Sequence, residues 1–263
     1  MKADINGTTI EYEIRGNGDP LLLIHGFPLS RKIWEPQLSG LSDQYMVIAP
    51  NLRGYGESPL PFSDYKMDTY SDDLVALLDS LKIEKAIVGG MSMGGYILFN
   101  MIDRYPKRVK AAIFMVTTSD ADSEEGKKRR QMLADLVLTK GTKPVADAFK
   151  EILFAPDTKT EHPELVESIY EQMLTTSPEG IINGLFAMRD RKEYTSRLFQ
   201  FKLPSLIICA RLDQTIPREK SLDMLSKMPN ATLYSIPDAG HMVGMEQPEK
   251  VNQEIRNFIS NLQ

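Results

Sequence analysis

Apolar and polar residues follow two different periods along this chain, and the switching between them predicts the architecture. Leu21-Leu-Leu-Ile24, Ala111-Ala-Ile-Phe-Met-Val116 and Leu206-Ile-Ile-Cys-Ala210 are unbroken apolar runs. They are short enough for strands and uniform enough to be buried on both faces. Strand patterns recur at 21–25, 45–49, 85–89, 109–117, 204–210 and 231–236, and residues near 3–15 read as an edge hairpin turning at Asn6-Gly7. Helical patterns at about 31–40, 68–81, 93–104 and 217–228 lie between the strands, and another closes the chain near 247–261. Strands alternating with helices predict an α/β fold, a mostly parallel sheet covered by helices on both faces.

The alternation stops after residue 118. From there to 200 only helical patterns occur, near 123–139, 144–153, 163–174, 178–189 and 193–199. The expectation is a core made of 1–118 and 201–263, with 119–200 inserted as a helical cap. Phe149, Ile152, Leu153 and Phe154, and later Ile181, Ile182, Leu185, Phe186 and Met188, give the cap its apolar faces.

Composition narrows the partners. At 263 residues the chain has ample length for a buried core, and its formal charge of −5 leaves no electrostatic footprint for nucleic acid or an anionic membrane. The basic run Lys127-Lys-Arg-Arg130 follows Glu124 and Glu125, so i,i+4 pairs (Glu124 with Lys128, Glu125 with Arg129) are expected on a solvated helix face. The single cysteine, Cys209, lies inside a strand run and cannot form an internal disulfide. The first residues carry no apolar secretion segment and no stretch is long enough to span a bilayer, so a cytoplasmic location is expected. Oligomeric state leaves no mark in the sequence.

Candidate chemistry centres on Gly89-Gly90-Met91-Ser92-Met93-Gly94-Gly95, between a strand pattern and a helical one. A serine at a sharp strand-to-helix turn needs small neighbours, because its backbone is strained and the strand and helix pass close together. Gly90 and Gly94 meet that need, giving the G-x-S-x-G nucleophile elbow in its strand–turn–helix context. A nucleophilic serine requires a base, and the chain offers three histidines: His25, His162 and His241. In the fold that carries this elbow the order is Ser, then acid, then His. His25 precedes the serine, and His162 sits in a charged stretch at a helix start, which leaves His241. Asp213, directly after the buried strand 206–210, is the leading acid. Asp238, in a turn-like position, and Asp120, after strand 109–117, are its competitors. Gly26 lets the chain turn after strand 21–25, so the Phe27 N–H can face a bound carbonyl, and the Met93 N–H is the second oxyanion donor. Phe27, Ser92, Asp213 and His241 all fall beyond strand carboxyl ends, where ligands bind in such sheets.

The chain resembles the alpha/beta-hydrolase superfamily in Gly90-Met-Ser-Met-Gly94, His25-Gly-Phe-Pro28, Asn51-Leu-Arg-Gly-Tyr-Gly-Glu-Ser58, Asp213 and Asp238-Ala-Gly-His241. Within it, the chain is similar to small bacterial carboxylesterases, 3-oxoadipate enol-lactonases and cofactor-free haloperoxidase-like perhydrolases. Asn51 stands where such proteins often carry Asp, and Ala210 where the acid loop often opens with Gly. Ser92 separates the chain from the branches that place Asp at the elbow. The resemblance implies an alpha/beta-hydrolase fold and a serine hydrolase acting on a small ester or lactone, with no cofactor and no metal. Enol-lactonase or perhydrolase action by the same three residues is the alternative within enzymes. A ligand-binding protein with slow residual hydrolysis is the alternative outside them. Met188, Phe186 and Met242 are expected near the substrate, although ordinary core packing explains a methionine equally well. Trp34 either walls the pocket or packs its helix on the sheet.

Overall fold

The computed structural model describes residues 1–61 and 66–262. Among them eight strands form one sheet: β1 (Lys2–Ile5), β2 (Thr8–Arg15), β3 (Asp19–Ile24), β4 (Tyr45–Pro50), β5 (Ala86–Met91), β6 (Val109–Met115), β7 (Ser205–Ala210) and β8 (Ala231–Ile236). Their order is β1-β2-β4-β3-β5-β6-β7-β8. β1 and β2 pair antiparallel through a turn in which Asn6 and Gly7 both take positive φ, 48° and 75°, as a two-residue hairpin turn requires. β2 also meets β4 antiparallel, and every later pair is parallel.

The helices are α1 (Glu35–Leu41), α2 (Met67–Ser80), α3 (Met93–Arg104), α4 (Glu124–Lys140), α5 (Lys143–Ile152), α6 (Pro156–Glu161), α7 (Pro163–Thr175), α8 (Pro178–Arg189), α9 (Arg218–Lys227), α10 (Val243–Glu246) and α11 (Pro248–Ser260). α6, α7, α8 and α11 begin on proline, whose missing N–H costs nothing in a first helical turn.

Continuous apolar strands follow from a sheet covered on both faces. Leu22, Ile24, Val88 and Phe114 point to one side, into a cluster shared with α2 and α3 through Leu74, Leu78, Ile97 and Met101. Their neighbours Leu21, Leu23, Ile87 and Ile113 point to the other, against α1 and α11 through Leu38, Leu41, Val251 and Ile255. Each fully buried Leu or Ile contributes about 1.5–3 kcal/mol. Truncating Leu23 to alanine removes packing that nothing else can fill and should cost about 2–5 kcal/mol.

Register levels the strand ends. Ile24 lies opposite Gly90, Met91 opposite Met115, and Ala210 opposite Ile236. The loops after β3, β5, β7 and β8 therefore leave the sheet at one edge. Between β6 and β7 the chain carries only α4–α8 and a 3-10 turn, Thr195–Gln200. These helices pack on one another and on the loops of that edge. Thr176 donates to the Pro28 carbonyl at 2.9 Å, and Gln172 accepts from the Ser30 N–H at 2.8 Å.

Four details differ from the sequence reading. The helix at 31–40 opens as a 3-10 turn, Arg31–Trp34, before α1. The helix at 193–199 is the 3-10 turn just named. α6 and α10 escape a periodicity reading because six and four residues are too few to show one. On α4, Glu124 pairs with Lys127 at i,i+3, and Arg130 turns back to Asp122. Cys209 is buried and free, as expected. No helix among the described residues is long and apolar enough to cross a membrane.

Candidate active site

Ser92 sits between β5 and α3 at φ 52°, ψ −115°, a backbone state that costs a non-glycine residue on the order of 1–3 kcal/mol. The surroundings hold it there. Its N–H donates to the Met115 carbonyl at 3.0 Å, and its carbonyl accepts from the Thr117 hydroxyl at 2.8 Å and the Gly95 N–H at 2.9 Å. A Cβ on Gly90 would overlap the Gly94 carbonyl, and one on Gly94 would overlap the Ile24 carbonyl. Both flanking glycines thus answer to backbone that cannot move. Gly95 is required for a different reason, since its Cβ would strike the Thr117 side chain. Val116, between Met115 and Thr117, also takes a positive φ, 43°, and so turns Thr117 away from the path of β6.

The loop after β3 runs beside the serine. A Cβ on Gly26 would lie 3.3 Å from the Ser92 Cβ. Phe27 follows, nearly buried, its ring edge-on to Phe149 at 5.5 Å. Met93 is the first residue of α3, so its N–H has no acceptor within the helix. His25 is fully buried. Its Nε2 accepts from the Leu52 N–H at 3.0 Å and its Nδ1 lies 2.9 Å from the Gly26 carbonyl, which fixes a neutral tautomer protonated on Nδ1. Burial, opposed only weakly by the Gly26 carbonyl, lowers its pKa to about 4.

His241 and Asp213 meet at the same edge of the sheet, beyond the carboxyl ends of β8 and β7. Asp213 Oδ2 stands 2.8 Å from His241 Nδ1, and both side chains are about 2% exposed or less. Asp213 Oδ1 accepts from the N–H groups of Thr215 and Ile216 at 2.7 and 3.1 Å. The loops carrying the pair are tied together by the Leu212 N–H on the Ala239 carbonyl at 3.1 Å. The competing acids lie elsewhere. Asp238 pairs with Lys250 at 3.2 Å on the surface. Asp120 accepts from Lys220, Thr195 and Thr118. Burial alone would raise its carboxyl, and these donors outweigh that and hold it below the usual carboxylate range. His162 is exposed at the start of α7, beside Glu164.

The residues expected around a substrate divide between two places. Trp34 and Met242 share a narrow apolar cleft with Met91 and Met245, next to the serine and histidine in sequence. Trp34 is 1% exposed and also packs into the sheet's core, and its indole N–H has no partner among the described residues. Phe186 instead lines a cavity of about 300 Å³ between α3 and α8, with Tyr96, Asn100, Asp120 and Arg191. Met188 is buried in the core cluster. Phe186 and Met188 are two residues apart on one helix, about 200° around its axis, so they cannot face the same space. Thr117 and Glu246 were not singled out by sequence. Thr117 lies past a strand whose apolar run masks the turn. Glu246 ends a helix of one turn, so no periodicity marks it.

The chain is similar to known proteins over its whole length. A family model described as alpha/beta hydrolase fold matches residues 19–248. The AB hydrolase superfamily protein YisY of Bacillus subtilis (strain 168) is 30% identical over 259 residues, covering 95% of each chain. 3-Oxoadipate enol-lactonase 2 of Acinetobacter baylyi is 27% identical over 248 residues, 94% of this chain and 91% of that protein. Among solved structures, a thermophilic esterase from Thermogutta terrifontis with malate bound superposes with a TM-score of 0.97 at 34% identity, covering 100% of this chain and 99% of that one. With the eight-stranded sheet, the elbow at Ser92 and a family match from 19 to 248, the chain belongs to the alpha/beta hydrolase fold family.

Proposed function

We propose that this protein is a serine hydrolase of small carboxylic esters, with Ser92, His241 and Asp213 as its catalytic residues. The observation that carries the reading is the buried 2.8 Å contact between His241 Nδ1 and Asp213 Oδ2, at the sheet edge where Ser92 holds its strained turn. Asp213 accepts from Nδ1–H, which leaves Nε2 as the free base. His241 takes the proton from Ser92 Oγ as the oxygen attacks the ester carbonyl carbon. The Phe27 and Met93 amides donate to the resulting oxyanion. Collapse expels the alcohol, which receives the proton from His241, and leaves an acyl-serine. Water, deprotonated by His241, then releases the acid and restores Ser92 Oγ–H.

Residues 119–200 act in this reading as a cap over the site. Similarity to an esterase over the whole chain supports an ester substrate. Similarity to an enol-lactonase supports a second reading, a lactone, which is a cyclic ester opened by the same steps. Initial rates on p-nitrophenyl acetate, butanoate and dodecanoate, with a small lactone set, test the assignment. Turnover of the short esters that Ser92→Ala lowers by at least 10³-fold is expected. Equal turnover by Ser92→Ala and the parent protein would contradict it.

A further inference from the structure

Five residues beyond His241, both carboxylate oxygens of Glu246 are occupied by donors from two different parts of the chain. Oε1 accepts from the Gly240 N–H at 2.9 Å. Oε2 accepts from the Ala155 N–H at 2.8 Å and the Thr158 hydroxyl at 2.7 Å. Gly240 immediately precedes His241, whereas Ala155 and Thr158 belong to the start of α6, within the inserted helices. The same two segments meet again where the Met242 N–H donates to the Leu153 carbonyl at 3.0 Å. They are so close at Gly240 that a Cβ there would overlap the Ala155 nitrogen at 2.6 Å. The residues on both sides of His241 are therefore bound to the insertion, and Glu246 is the one side chain that joins all three donors.

We propose that Glu246 is a positioning residue, which clamps the Gly240–Met242 segment to Ala155–Thr158 and so fixes the His241 imidazole for the proton transfers assigned to it. The proposal rests on the serine-hydrolase reading above. Its chemistry demands a carboxylate. Two of the donors are backbone N–H groups, which can only donate, and they fall on opposite oxygens. An amide offers one acceptor oxygen and one NH2, so in either orientation glutamine sets a donor against a donor. A buried N–H left without an acceptor opens the contact. Displacement of a catalytic group by about 1 Å is enough to cost on the order of 10²-fold in rate.

The test compares Glu246→Gln with the parent protein, using Thr158→Val and Ser92→Ala as references. For Glu246→Gln, kcat on p-nitrophenyl butanoate should fall about 10- to 100-fold while KM stays within about threefold. Thr158→Val leaves both backbone donors on the carboxylate, and should lose less than about threefold. A readout free of turnover is the imidazole N–H resonance of His241 on Asp213, followed by NMR with 15N-histidine. Glu246→Gln should broaden or shift it while the amide spectrum of the β-sheet is retained. A Glu246→Gln kcat within twofold of the parent, or a large loss with an unmoved His241 resonance, would overturn the proposal. Full activity in Ser92→Ala would instead overturn the hydrolase reading, and the resonance would still report on the clamp.

Discussion

Asp213 divides its two oxygens between two tasks, and that division makes its substitution informative. Oδ1 holds the Thr215 and Ile216 N–H groups and Oδ2 holds His241 Nδ1. In Asp213→Asn the single carbonyl oxygen stays with the two backbone donors, so the NH2 faces the imidazole and selects the tautomer protonated on Nε2. That tautomer cannot take a proton from Ser92. A loss on the order of 10²–10⁴ in kcat with the fold retained is expected. Asp120→Asn should cost less than about tenfold, since Asp120 is bound to Lys220, Thr195 and Thr118 instead. Steady-state kinetics of the two variants check the assignment, and the reverse ranking would refute it. His25 gives a stability prediction. Its pKa is lowered to about 4 in the fold from about 6.5 in the unfolded chain. A lowered pKa means the unfolded state binds the proton first, so the contribution is whole above about 6.5 and drains away as pH falls toward 4. The loss is on the order of 3 kcal/mol. Urea unfolding at pH 7 and pH 4 should show it in the parent protein and not in His25→Gln, and parallel losses would disprove it.

The strand-to-helix elbow is an element in which two kinds of glycine requirement can be told apart. Gly94 is closed in by the Ile24 carbonyl, and Gly95 by the side chain of Thr117. Gly94→Ala should cost on the order of 3 kcal/mol or more, with no single partner change to relieve it. Gly95→Ala should be comparably damaging alone, and milder in a Thr117→Ala background. Denaturation midpoints of the four variants would show this as a coupling energy at Gly95. Additive effects there would refute the Thr117 explanation. The glycines, Ser92 and the strands around them were legible in sequence because each rests on a local requirement: a tight turn, or a run buried on two faces. Thr117 was not legible, because its contact depends on where β6 ends, and the apolar run continues through Val116. Asp213 stood out over Asp238 and Asp120 by chain order and by its place directly after a buried strand run. Its contact with His241 was not legible, because it depends on the levelled ends of β7 and β8, which no local pattern encodes.

Across the whole molecule, the helices between β6 and β7 press onto the loops at the sheet's carboxyl edge. Phe149 meets the Phe27 ring, α8 meets Tyr55 and Phe27 through Gly184, and Leu153–Thr158 holds the His241 loop. Ser92 is left only 9% exposed. On the proposed function, a long acyl chain would have to part these contacts, so kcat/KM should be higher for butanoyl than for dodecanoyl esters, and the opposite order would contradict that fit. That helices and no strand lie between β6 and β7 was readable from the missing strand patterns. Its seating was not, because Gly184, Gly180 and Gly240 mark close approaches between segments far apart in the chain. The central claim is that Ser92 is the nucleophile. Intact-protein and peptide mass spectrometry after treatment with an organophosphate ester tests it most directly. One adduct on Ser92, formed in step with loss of esterase activity and absent from Ser92→Ala, is the result expected. Modification at another residue, or turnover that persists once Ser92 is fully modified, would contradict the account.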